Sequence, residues 1–160
     1  MIYKMKQNLF AFGDDYIIRN ANDEPVFFID GKAFSFGDKL SFQDLAGNAL
    51  AFISQKVFSF KKKYEIYRSG QLFAEITKNL TFFKDQYTVD VPGPNDYEVQ
   101  GDFLDHEYSF FRNGIEVARV SKQYFTWSDT YGVEIIDGED DITILATAVV
   151  IDQVKDDRRR

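Results

Sequence analysis

The sequence has no cysteine, one histidine and three prolines in 160 residues. Without cysteine there are no disulfides, thiolate metal sites or cysteine nucleophiles, and stability must come from an apolar core. The lone His106 excludes metal sites built on several histidines and any His–His acid/base pair. No G-x-S-x-G elbow is present to build a Ser-His-Asp site around it, and no phosphate loop or dinucleotide fingerprint occurs. Positive charge is the minority: 19 Lys and Arg face 26 Asp and Glu, a net −7 that repels phosphate backbones, so no nucleic-acid partner is expected. The opening "MIYKMKQNLFAFGDD" lacks an uninterrupted apolar run of signal-peptide length before Gly13, from which a cytoplasmic location is expected.

What is present suits strands. Aromatic residues make up 17% of the chain, a composition that fits pleated, half-buried surfaces. The length fits one domain, burying roughly 70% of the surface its unfolded chain would expose.

The chain also repeats itself. Without gaps, "GNALAFISQKVFSFKKKYEI" (47–66), "GQLFAEITKNLTFFKDQYTV" (70–89) and "GIEVARVSKQYFTWSDTYGV" (114–133) align. They share Gly47/Gly70/Gly114, Ala51/Ala74/Ala118, Ile53/Ile76/Val120, Phe60/Phe83/Trp127 and Tyr64/Tyr87/Tyr131. Degenerate copies run through Val26, Ile29, Leu40 and Phe42, and through Gly93, Tyr97, Val99, Tyr108 and Phe110. Each leading glycine sits in a turn, and Asn113-Gly114 is a strong hairpin signal. A second polar tip falls at 61–63, 84–86 and 128–130, so each unit reads as two strands about a turn. An antiparallel meander of about ten such strands does best by closing, which removes unpaired edges.

After the acidic "DGEDD" (137–141), residues 142–151 are apolar at almost every position, so this segment must be enclosed. From Asp141 to Val154 a helix would be about 21 Å long, short of the roughly 30 Å hydrocarbon core, which argues against a transmembrane span. Its β-branched residues permit a strand and its length suits a helix, with Asp140 or Asp141 as N-cap.

"VARVSKQYFTWSDTYGVEI" (117–135) and the terminal "LATAVVIDQV" (145–154) are the most specific parts of a resemblance that extends over the chain. The sequence resembles the LURP-one-related family, part of the tubby C-terminal-like superfamily, which also includes phospholipid scramblases. That resemblance implies a mainly β fold: a closed antiparallel barrel of about a dozen strands with the hydrophobic C-terminal helix through its middle. A single domain would then span 1–155, with the helix at about 140–155, Ile144, Leu145, Ala148, Val149 and Ile151 in the core, and a disordered charged tail at 156–160.

The resemblance transfers no catalytic residues, and no enzyme, cofactor or metal is expected. His106 reads as a structural residue in a turn, Asp137–Asp141 as a helix start, and Asn79-Leu80-Thr81 as a glycosylation sequon relevant only to a secreted chain. The basic cluster Lys61, Lys62 and Lys63, with Arg68, is the candidate contact for an anionic lipid headgroup, the ligand class that the tubby and scramblase relatives suggest. A lipid- or phosphoinositide-binding module, peripheral at the membrane, is thus one reading. A protein-binding adaptor is the other.

Overall fold

A computed structural model describes residues 1–6, 16–30, 39–56, 62–80, 85–125 and 130–159. Among the described residues there are twelve strands: β1 Ile2–Lys6, β2 Tyr16–Asn20, β3 Pro25–Asp30, β4 Lys39–Asp44, β5 Ala49–Lys56 and β6 Lys63–Arg68 come first. They are followed by β7 Gln71–Leu80, β8 Asp85–Asp90, β9 Tyr97–Asp102, β10 Glu107–Arg112, β11 Ile115–Ser121 and β12 Thr130–Ile135, then the helix α1 Asp141–Arg159. Each strand pairs antiparallel with its sequence neighbour, and β1 pairs with β12, so the meander closes into a barrel.

The repeat encodes the geometry of closure. Asn113 (φ +51°) and Gly114 (φ +78°) both take the left-handed conformation of a two-residue hairpin turn, as do Ser69 and Gly70. Three residues beyond the glycine, Leu50, Phe73 and Val117 are each an extra residue where the register shifts: between Phe42 and Gln43, Ile66 and Tyr67, and Phe110 and Phe111 on the partner strands. Such bulges sharpen twist and bend a strand, which a closing sheet requires. The repeated alanines follow each bulge and are buried, as are Tyr64, Tyr87 and Tyr131. Phe58, Phe60, Phe83 and Trp127 lie outside the described residues. Asp85 and Gln86, expected in a polar tip, instead open β8.

A wall of alternating residues faces inward, and α1 runs inside it. From Thr143 to Asp152 every residue of α1 is buried, including all five that were expected in the core. Asp140 caps it: its carboxylate accepts hydrogen bonds from the Thr143 backbone N–H (3.4 Å) and the Thr143 hydroxyl (2.7 Å). The helix continues through residues 156–159, beyond the expected end at 155, because neither glycine nor proline interrupts it there.

Deleting the chain after Gly138 removes Ile144, Leu145, Val149, Val150 and Ile151 from the core, at about 1.5–3 kcal/mol each, against a total stability of about 5–15 kcal/mol. The truncated protein is expected to lose its cooperative thermal transition. A melting temperature near that of the full chain would rule out a core built on α1.

Candidate functional site

The two ends of α1 are tied down by polar groups. At its start, Arg68 donates to Asp140 (2.6 Å) and Arg112 to Glu139 (2.8 Å), while the Tyr97 hydroxyl donates to Glu139 (2.9 Å) and the Tyr3 hydroxyl to Asp141. Tyr97 has its phenol pushed up from its ordinary value, first by burial and then by the Glu139 carboxylate. The acidic lead-in is therefore a helix cap that also latches the helix to the barrel rim. Near the other end, Asp152 is the one ionisable residue in the buried stretch 143–152, and its carboxylate accepts from the Tyr131 hydroxyl and pairs with His106 Nε2 at 2.8 Å. His106 occupies a turn between strands, as expected, in the left-handed region (φ +54°), and its ring stacks on Tyr131 with centroids 4.3 Å apart. Partners of this kind offset the cost of burying a carboxylate. All three side chains of this cluster are buried.

Among the described residues of the sequence-derived cation cluster, Arg68 is not brought together with Lys62 and Lys63. Lys61 lies outside the described residues. Lys62 is exposed, and Lys63 reaches Glu75 at 3.3 Å. Arg68 sits at the opposite end of β6, about 16 Å away along an extended chain, held by Asp140 and lying over the Phe73 ring. Asn79 is on β7, bonded to Thr88. Among the described residues no group of acidic and histidine side chains is gathered to hold a metal ion.

A basic site appears elsewhere, at the seam where the barrel closes. β1 shares five residue pairs with β12 but only two with β2, Tyr3 with Asn20 and Lys4 with Arg19. Beyond them the strands part, and the Lys6 backbone N–H donates to the Tyr16 hydroxyl instead of to a strand carbonyl (2.9 Å). The resulting cleft of about 510 Å³ is lined by Lys4, Lys6, Tyr16, Ile17, Arg19, Asp23 and Thr130. Tyr3 and Met5 point inward, so alternation puts Lys4 and Lys6 on the outer face. On the far side of β12, Tyr124 packs on Gly132, where any Cβ would come within 2.7 Å of its ring. That contact leads the chain to Phe125, whose ring centroid lies 4.9 Å from Lys4 Nζ.

Like charges directly opposite each other, as Lys4 and Arg19 are, destabilise a strand pair. Asp23 relieves this: its carboxylate is 3.1 Å from Lys4 Nζ and 4.0 Å from Arg19 Nε, and the Lys4 hydrogen bond holds its carboxyl below the usual range. Lys6 is exposed and forms no close ion pair among the described residues, although its charge also acts on Asp23. Among the described residues the cleft thus carries three cations and one carboxylate. A cleft of about 500 Å³ beside β10 and β11 balances Glu107 with Arg119, and a smaller one carries Glu116 and Glu134 against Arg119.

The family pattern described as LURP-one-related matches residues 1–152. The chain belongs to the LURP-one-related family. Over 150 residues it is 34% identical to the Bacillus subtilis (strain 168) protein titled "Uncharacterized protein YxjI", covering 94% of this chain and 91% of that one. An X-ray structure of a protein from Arabidopsis thaliana shares the fold with a TM-score of 0.67, at 15% identity over 99% of this chain and 92% of the other. This LURP-one-related chain has no described helix long and apolar enough to cross a membrane.

The seam was missed in the sequence, although "IYKMK" carried a signal. Its alternation puts both lysines on one face of a strand. Arg19 joins them only through the register of closure. Asp152 also had a legible sign, since a single carboxylate inside an all-apolar helix demands a buried partner.

Replacing Asp152 with Ala is expected to cost about 3–5 kcal/mol in urea unfolding. The His106→Ala, Asp152→Ala double variant should lose less than the sum of the two single changes. Additive losses would show that the two side chains are not coupled. Burial also pushes the Tyr16, Tyr108 and Tyr131 phenols well above their ordinary value of 10.0, so the folded state keeps them neutral where the unfolded chain ionises. Their contribution is complete below pH about 10 and is lost as pH rises beyond it, so the melting temperature should fall in that range. A melting temperature constant to pH 11.5 would contradict this (about 1.5 units above the free phenol).

Proposed function

We propose that this protein is a non-catalytic intracellular binding module for the anionic headgroups of membrane lipids, phosphoinositides among them, acting peripherally at the membrane surface. The observation that carries this reading is the seam cleft, where three cations are concentrated in a chain of net charge −7. Its volume falls within the roughly 300–1,000 Å³ of small-ligand sites. The helix supports the reading by exclusion, since a barrel filled by α1 leaves no interior for a carried lipid, and ligands must be met on the outside.

Each basic residue near an anionic membrane contributes about 1 kcal/mol, or roughly fivefold in affinity. Lys6→Glu is therefore expected to weaken sedimentation with anionic vesicles by at least about fivefold, and more at low salt than at high salt. A Lys62→Glu, Lys63→Glu variant tests the lysine tip against the seam and should have the smaller effect. Failure of the wild type to bind anionic vesicles at physiological salt would end this reading.

One observation favours an adaptor as the second reading. Leu45, Leu72, Ile115 and Ile136 are 47–66% exposed, and the meander places all four at the barrel end where α1 begins. A protein partner docking on that end would lose affinity on Leu72→Asp and Ile115→Asp and be indifferent to Lys6→Glu.

A further inference from the structure

Two hairpin loops of this barrel are built alike, and they differ at one informative position. In the β4–β5 loop, Gly47 N–H donates to the Asp44 carbonyl (3.1 Å), Asp44 N–H to the Asn48 carbonyl (3.0 Å), and the Asp44 carboxylate accepts from the Ala46 and Asn48 backbone. In the β2–β3 loop, Asp23 N–H donates to the Asn20 carbonyl (3.0 Å), Asn20 N–H to the Glu24 carbonyl (2.8 Å), and the Asn20 side chain accepts from the Asn22 and Glu24 backbone. The fourth residue of each loop is left-handed: Gly47 at φ +88° and Asp23 at φ +65°. Glycine takes that conformation freely, whereas an L side chain pays a conformational penalty there. At this penalised position stands the carboxylate that meets both Lys4 and Arg19, with the Asp23 carbonyl also accepting from Arg19 Nη1 (3.0 Å). The loop fold does not need the carboxylate, as Gly47 shows. Lys4 and Arg19 do, being directly opposed cations.

We infer that Asp23 is a built-in competitor for the seam cleft, an intramolecular anion that occupies Lys4 and Arg19 until a phosphate group displaces it. This rests on the headgroup-binding reading and adds a regulatory element to it. Lys6, which forms no close ion pair among the described residues, supplies the first contact for an arriving phosphate, and Lys4 and Arg19 exchange one anion for the other. The exchange favours ligands with more negative charge than a single carboxylate, so a phosphomonoester is preferred over a phosphodiester.

The test uses the full-length chain with three variants: Asp23→Asn, which removes the charge, Asp23→Gly, which copies the Gly47 loop, and Glu98→Gln on β9, which removes the same charge across the barrel. Binding is measured to phosphatidylcholine vesicles containing phosphatidic acid, to vesicles containing phosphatidylglycerol, and to inorganic phosphate, with a thermal melt confirming that each variant is folded. Asp23→Asn and Asp23→Gly are expected to bind phosphatidic acid vesicles roughly threefold more tightly than wild type, with Glu98→Gln unchanged. The gain should be smaller on phosphatidylglycerol. Enhanced binding of vesicles alone identifies a lipid headgroup, and enhanced binding of inorganic phosphate as well identifies a small phosphate ester. Equal gains for Glu98→Gln would reduce the effect to overall charge and overturn the competitor. If wild type binds and Lys6→Glu does not, but both Asp23 variants bind like wild type, the competitor fails while the headgroup reading stands. If no protein binds any probe, both fall.

Discussion

Filling a closed barrel of twelve strands with one apolar helix is the constraint on which this structure depends. About eight strands enclose a space that side chains alone can fill, and a wider barrel needs something else inside. Here α1 supplies it, with alanines at 146 and 148 and Ala51 on the wall keeping the packing close. The same arrangement removes the interior as a binding site.

Enclosing a helix creates electrostatic obligations at both of its ends. Just before its first turn, Glu139 and Asp140 lie at the rim, where Arg112 and Arg68 meet them. Farther along, Asp152 would be an isolated buried charge without His106 and Tyr131. These interactions occupy Arg68 and Arg112, and Lys63 and Lys122 are likewise matched to Glu75 and Asp105. The closing seam is different. Its two strands come from segments that pair for only two residues, and there Lys4, Lys6 and Arg19 gather around a single carboxylate among the described residues.

Strand-level features were legible because they are local. Glycine turns, the alternation of buried Ile53 and Ala51, and the all-apolar run of 142–151 each follow from neighbours in the chain. Residue spacing alone left α1 open between helix and strand, and family resemblance favoured the helix. Arg68 shows why the candidate site was harder to place. Five residues from Lys63 in sequence, it faces the opposite end of the barrel because an extended strand advances about 3.3 Å per residue, and it serves the helix cap.

The sequence by itself determined the repeating hairpin unit, the closed β architecture implied by its resemblance, and the need to enclose the last apolar segment. Those are consequences of period, turn chemistry and hydrophobicity, which act between near neighbours. Only the tertiary structure decided that Asp152 meets His106, that Arg68 latches α1, and that Lys4 lies opposite Arg19. Each of those pairs depends on the register with which the barrel closes and on the path of the helix through it, and neither is written in any single stretch of chain.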